Sequence, residues 1–106
     1  MDDLKVIADP RRREILRLVW DRELRAGEIA AHFDVSFPAI SQHLGVLSGA
    51  RFVSVRRVGT QRLYRADRKR IGHLGRVLES MWSDKLSELG RLAERAEHNG
   101  RRERHG

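Results

Sequence analysis

VSFPAISQHLGVLSGAR, residues 35–51, carries the clearest folding signal in this 106-residue chain. Ser36 reads as an N-cap, and Pro38 falls in the first helical turn, where a missing backbone N–H costs nothing. Ile40, Leu44 and Leu47 then recur at the i, i+4, i+7 spacing of one buried helix face. Turned away from that stripe, near the amino end, are Phe37, Pro38, Ser41 and Gln42. A short helix that starts with small and amide side chains can enter a DNA major groove, because nothing bulky holds it off. Ser41 and Gln42 could there offer hydrogen bonds to base edges. The stretch by itself fits equally an amphipathic helix with a polar outside.

Its flanks favour the first reading. Upstream, Glu28 to Phe33 (EIAAHF) forms a short helix with Ile29, Ala30 and Phe33 inward, while Leu24 to Gly27 reads as a connection. Asp34-Val35-Ser36 links the two helices tightly, which makes a helix-turn-helix. His32 fits a surface or packing role better than a ligand role. Downstream the period changes to two. Phe52 to Arg57 alternates, with Val53 and Val55 on one side and Ser54 and Arg56 on the other. Val58-Gly59-Thr60 turns, and Gln61 to Ala66 returns as a second strand. Arg56, Arg57, Arg62 and Arg65 make this hairpin basic, with Gly59 at its tip. After a helix-turn-helix such a ribbon reads as a wing that lies on the DNA backbone or enters the minor groove. The alternative is an edge hairpin whose charges block aggregation.

The two ends supply further helices. Asp2 to Ala8 fits a short first helix with Leu4, Ile7 and Ala8 on one side, and Asp9-Pro10 restarts the chain as cap and first helical residue. Ile15, Leu16, Val19 and Trp20 trace the second helix to about Asp21. Arg11, Arg12 and Arg13 oppose its macrodipole, so they either meet phosphate or an acidic partner, or are simply solvated. From Asp67 to about His98 a long helix carries Ile71, Leu74, Leu78, Met81, Lys85, Glu88 and Leu92 at three- and four-residue steps. Gly72 and Gly75 leave its start open, either at Asp67 or after a turn from about Arg76. About thirty helical residues span about 45 Å, more than so small a domain covers alone, which points to burial against a second copy. Asn99-Gly100 is a stop, and residues 99–106 read as a disordered basic tail beyond a single 1–98 domain.

The charge balance agrees. Lys plus Arg number 22 against 15 Asp plus Glu, a net charge of +7, which favours a polyanion such as nucleic acid or an anionic membrane surface. No apolar run approaches the roughly 18 residues of a membrane span, and the acidic amino end MDDLKVIADP lacks the build of a signal peptide. With no cysteine, disulfides and thiolate metal sites are excluded. The expectation is a soluble, cytoplasmic protein without a membrane partner.

In order, IADPRRREIL, GEIAAHFDVSFPAISQHLGVLSGARFVSVRRVGTQRLYRAD and MWSDKLSEL resemble the ArsR/SmtB family of bacterial winged-helix repressors, across about residues 4–95. The similarity is greatest to metal-independent members with a tryptophan in the last helix. The resemblance implies a mainly α fold with a two-stranded β-hairpin wing, dimerising through its first and last helices. It implies DNA contacts from Ser36, Phe37, Pro38, Ser41, Gln42 and His43 on the recognition helix, and from Arg56, Arg57, Gly59, Thr60, Gln61 and Arg62 on the wing. The dimer interface would use Leu4, Ile7, Leu74, Leu78, Met81, Trp82, Leu86 and Leu89. Many members repress their own operon and release DNA when an effector binds. Three positions depart from the family pattern: Phe37 stands where glutamine is usual, Gly45 where lysine is usual, and Arg51 where glycine is usual.

Chemistry is not expected. The segment Leu24 to Glu28 holds no Cys-x-Cys metal box, and His73, Asp84, Glu88 and His98 do not repeat at a chelating spacing. No catalytic triad order or phosphate-cradling glycine loop is present. The expected function is therefore a non-enzymatic, homodimeric repressor of transcription that reads an inverted-repeat duplex without a metal or cofactor. Two other readings stay open: a winged-helix module whose basic face binds an acidic protein, and a metal- or small-ligand-responsive repressor. The sequence names no effector.

Overall fold

In the computed structural model, which describes residues 2–83, two aspartates start the first two helices. Asp2 accepts a hydrogen bond from Leu4 N at 3.2 Å and opens α1 (Asp3–Ala8). Asp9 closes that helix and opens α2 (Pro10–Leu18), accepting from Arg11 N at 2.8 Å and Arg12 N at 3.3 Å. Each carboxylate satisfies amides that have no partner within the helix. Two of the three arginines that follow are occupied within the chain. Arg12 donates through Nε to Val6 O at 2.7 Å and through Nη2 to Lys5 O at 3.0 Å. Arg13 Nη1 donates to Ile7 O at 2.8 Å and Ala8 O at 3.0 Å. Both guanidiniums therefore cap the negative end of α1, where carbonyls lack partners. Arg11 is exposed, and for it the two readings, contact with phosphate or an acidic partner and simple solvation, both stay open.

The helix-turn-helix forms from α3 (Ala26–Ala30) and α4 (Phe37–Gly49). α3 begins two residues earlier than expected, because Glu28 reaches back to accept from Arg25 N at 2.9 Å. α4 starts as its sequence demands, with Ser36 Oγ accepting from Ala39 N at 3.3 Å. Its stripe of Ile40, Leu44 and Leu47 is buried, as are Ile15, Leu16, Val19, Ile29 and Phe52. On α1 the buried residues are Val6 and Ile7, whereas Leu4 is 63% exposed.

α4 ends in a Schellman motif: Phe52 N donates to Leu47 O at 2.9 Å and Arg51 N to Ser48 O at 3.0 Å. That motif puts its C′ residue in the left-handed region, and the residue there is Arg51, at φ 63°. Gly49 does not take over this role. It lies within the helix.

The sheet has three strands, not two. β1 (Leu24–Arg25), β2 (Val53–Val58) and β3 (Gln61–Ala66) pair antiparallel in the order β1-β3-β2. The expected connection at Leu24 is thus an edge strand of two residues, too short to show any period in the sequence. Val58 pairs with Gln61 around a two-residue loop. Gly59 there takes φ 62°, as the first central residue of a type II′ hairpin turn requires. Only Val53 of β2 is buried; Val55 and Val58 are exposed, so the ribbon stands out beyond the core.

Ala66 N donates to Val19 O at 2.9 Å and Asp67 N to Phe52 O at 2.8 Å, which anchors the base of the ribbon. Asp67 then caps α5 (Arg68–Ile71) by accepting from Arg70 N at 3.0 Å. Gly72, at φ 62° and ψ −130°, stops this helix, since only glycine enters that region freely. A second unit begins at His73, and residues 73–83 are helical. The expected long helix is therefore broken at Gly72 and resumes earlier than Arg76. Leu86, Leu89, Lys85, Glu88, Leu92, His98 and the 99–106 tail lie outside the described residues. No helix among the described residues is long and apolar enough to cross a membrane.

Candidate nucleic-acid interface

Ser36, Phe37, Pro38, Ser41 and Gln42 are exposed along the amino half of α4. The buried stripe on the opposite side fixes this outcome: once Ile40, Leu44 and Leu47 enter the core, these positions can only face out. Phe37 keeps 52% of its surface exposed, a large apolar contact at the first helical residue. His43 is half-buried instead, with Nδ1 3.5 Å from Arg12 Nη1. Its ring thus meets α2 on the inner side of the helix.

A cleft of about 540 Å³ joins this helix to the ribbon. Phe37 and Ser41 line it from α4, and Thr60, Gln61, Arg62 and Tyr64 from the wing. Arg25, Ala26, Gly27 and Glu28 close its third side. Arg25 and Tyr64 were not singled out in the sequence. Arg25 had looked like part of a loop, and its place in the cleft follows from the unexpected pairing of Arg25 with Leu63.

The ribbon sorts its arginines by register. Side chains alternate along a strand, so Val53, Val55 and Arg57 share one face with their partners Ala66, Tyr64 and Arg62. Ser54, Arg56 and Val58 share the other with Arg65, Leu63 and Gln61. On this second face Arg56 is occupied. Its Nε and Nη2 donate to Glu23 Oε2 at 3.0 Å and Oε1 at 2.9 Å, a bidentate pair. Those hydrogen bonds hold the Glu23 carboxyl below its ordinary range against the opposing effect of burial, helped by the charges of Arg56 and Arg65. Glu23 in turn raises the Arg56 guanidinium further. Arg57 and Arg62 have no such partner among the described residues. The two adjacent arginines, alike in sequence, stand in different environments.

Of the expected dimer residues, Ile7 and Leu78 are buried within the chain, Leu74 and Trp82 half-buried, and Leu4 and Met81 exposed. Val77, not singled out before, is 50% exposed. Among the described residues no group of three or more His, Cys, Asp or Glu side chains could hold a metal ion.

Comparisons with known proteins agree with this geometry. Residues 9–55 match the family described as bacterial regulatory protein, arsR family. The chain is 38% identical over 88 residues to the HTH-type transcriptional regulator Rv2034 of Mycobacterium tuberculosis, covering 83% of this chain and 82% of that one. It is 47% identical over 55 residues to the transcriptional repressor SdpR of Bacillus subtilis, covering 52% and 61%. A solved structure from Mycobacterium bovis superposes with a TM-score of 0.66 at 26% identity, over 77% of this chain and 76% of that one. It is described as a homodimeric winged helix-turn-helix DNA-binding domain of a possible ArsR-family transcriptional regulator. With the helix-turn-helix and wing in place and the similarity extending over most of its length, the chain belongs to the arsR family of bacterial regulatory proteins.

Proposed function

We propose that this chain is a homodimeric repressor of transcription that reads an inverted-repeat duplex, with residues 1–98 as one DNA-binding and dimerisation domain. The carrying observation is the cleft that puts exposed Phe37 and Ser41 of α4 beside Thr60, Gln61 and Arg62 of the wing. A helix in the major groove and a ribbon on the adjoining backbone or minor groove need that adjacency. Gln42 and Ser41 read base edges, Phe37 meets a thymine methyl, and Arg57 and Arg62 meet phosphate. The net charge of +7 supplies the attraction that is independent of sequence. Repression and dimerisation are supported by the relative named as a repressor and the neighbour described as homodimeric. Exposed Leu4, Val77 and Met81 offer apolar surface to a second copy.

The test is a fluorescence-anisotropy titration of EDTA-treated protein at several salt concentrations. One target is the DNA upstream of its own gene and the other a scrambled duplex of equal length. A preference of roughly a thousandfold or more for the first, at one dimer per site, is the expected result. Equal, steeply salt-dependent binding to both, and also to duplexes selected from random DNA, would overturn specific recognition.

A further inference from the structure

Glu23 and Arg56 form the one bidentate ion pair among the described residues that ties the wing to the body of the domain. Glu23 precedes the short edge strand β1, whereas Arg56 lies on β2, with β3 between them. In register Glu23 follows on from Leu24↔Tyr64 and so stands level with Arg65, a diagonal neighbour of Arg56 across β3. The pair therefore spans the whole width of the sheet. It does so where support is scarce: beyond Val53 no residue of β2 is buried. A planar guanidinium gripping both carboxylate oxygens fixes an orientation, which a single-point contact does not.

We propose that the Glu23–Arg56 pair is a strut that sets the angle of the wing relative to α4, so that Arg56 acts as a positioning residue for DNA recognition and not as a phosphate contact. This rests on the DNA-binding reading above. Arg56 faces away from Arg57 and Arg62, the cations on the face that carries Tyr64 into the cleft. Its charge is already matched by a carboxylate whose own proton affinity the pair lowers. Turning its Nε and Nη2 edge to phosphate would mean giving up both hydrogen bonds to Glu23. The wing thus divides its arginines: Arg57 and Arg62 supply attraction, Arg56 supplies geometry.

Reversal of the pair separates the two roles at constant net charge. The proteins are wild type, Arg56→Glu, Glu23→Arg and the double reversal. Each is titrated at several salt concentrations against a duplex that the wild type selects from a random library, and against a scrambled duplex. Arg56→Glu is expected to lose at least about tenfold on the selected duplex. The double reversal should recover to within about threefold, with the wild-type salt slope. If Arg56 instead contacts phosphate, the double reversal binds as poorly as Arg56→Glu and its slope falls by about 0.9 per lost contact; that result sinks the strut. Glu23→Gln guards against a misfolded double variant. A strut predicts a lower ratio of selected to scrambled affinity, whereas a freed phosphate contact predicts tighter binding to both. Wild type that binds no duplex at all overturns the DNA reading itself, and the strut with it, whereas wild-type binding without rescue overturns the strut alone.

Discussion

Arg57 and Arg62 stand directly opposite each other on adjacent antiparallel strands, and neither guanidinium has an ion-pair partner among the described residues. Like charges in directly opposed positions repel, so the free ribbon carries a local conflict that a polyanion relieves. Arg57→Ala and Arg62→Ala should each reduce the salt slope of DNA binding by about 0.9. Both should weaken selected and scrambled duplexes alike, and neither should lower the melting temperature of the free protein. Anisotropy titrations and thermal melts at matched salt would check this. An unchanged slope for both variants would remove the ribbon from the phosphate backbone.

Gln42 is exposed on α4, one turn beyond the helix start and next to Ser41 in the cleft. A side-chain amide that reads a base edge contributes discrimination and little general attraction. Gln42→Ala should therefore cost about 1–3 kcal/mol on the selected duplex and relax the preference at one base pair. Selection from random DNA with the variant reads this directly. An unaltered preference at every position would take Gln42 out of base recognition.

Gly45 is exposed on α4, and a Cβ built there meets nothing within 4 Å. Glycine in a helix interior costs about 0.5–1 kcal/mol relative to alanine. Gly45→Lys should raise the unfolding free energy by several tenths of a kcal/mol or more and steepen the salt slope by about 0.9. Urea unfolding and DNA titration of the same preparation separate the two effects. Stabilisation without a steeper slope would place this position away from phosphate.

Arg51 holds φ 63° at the end of α4. A residue with a Cβ loses about 1 kcal/mol there, and glycine does not. Arg51→Gly should raise the unfolding free energy by about that amount, read as an upward shift of the urea midpoint with the slope of the transition unchanged. A downward shift would mean that the Arg51 side chain contributes more than its backbone costs.

Asp9 titrates below its ordinary range. Burial pushes its carboxyl up, but hydrogen bonds from the Arg11 and Arg12 amides and the charges at His43 and Arg12 outweigh that effect. Since the folded value is the lower one, the unfolded chain binds the proton more readily, and stability rises with pH across this window. The contribution is complete above about pH 4 and is lost as pH falls through the folded value. Asp9→Ala should cost about 1 kcal/mol at neutral pH, the worth of an N-cap, and flatten the acid limb. Asp9→Asn should keep most of the cap and flatten the limb as well. A wild-type acid limb in Asp9→Asn would assign the pH dependence to other carboxylates.

Much of this architecture is legible in local sequence because local chemistry decides it. Asp9-Pro10 and Ser36 place two helix starts, Ile40, Leu44 and Leu47 fix which side of α4 is buried, and Gly59 fixes the hairpin turn. Each depends on residues within a turn or two of one another, where propensity, period and capping act together. The exposed row of Phe37, Ser41 and Gln42 follows from the same periodicity. What required the tertiary structure involves partners distant in the chain. Leu24–Arg25 becomes a strand only because β3 arrives to pair with it, forty residues later in the register of Leu24 with Tyr64. Arg12 and Arg13 look like free cations until α1 folds back and presents its unpaired carbonyls. Arg56 and Arg57 are identical as letters; strand register and the distant carboxylate of Glu23 assign one to hold the wing and leave the other free of any partner among the described residues. A charged side chain takes its role from what surrounds it, and those surroundings are assembled by the fold.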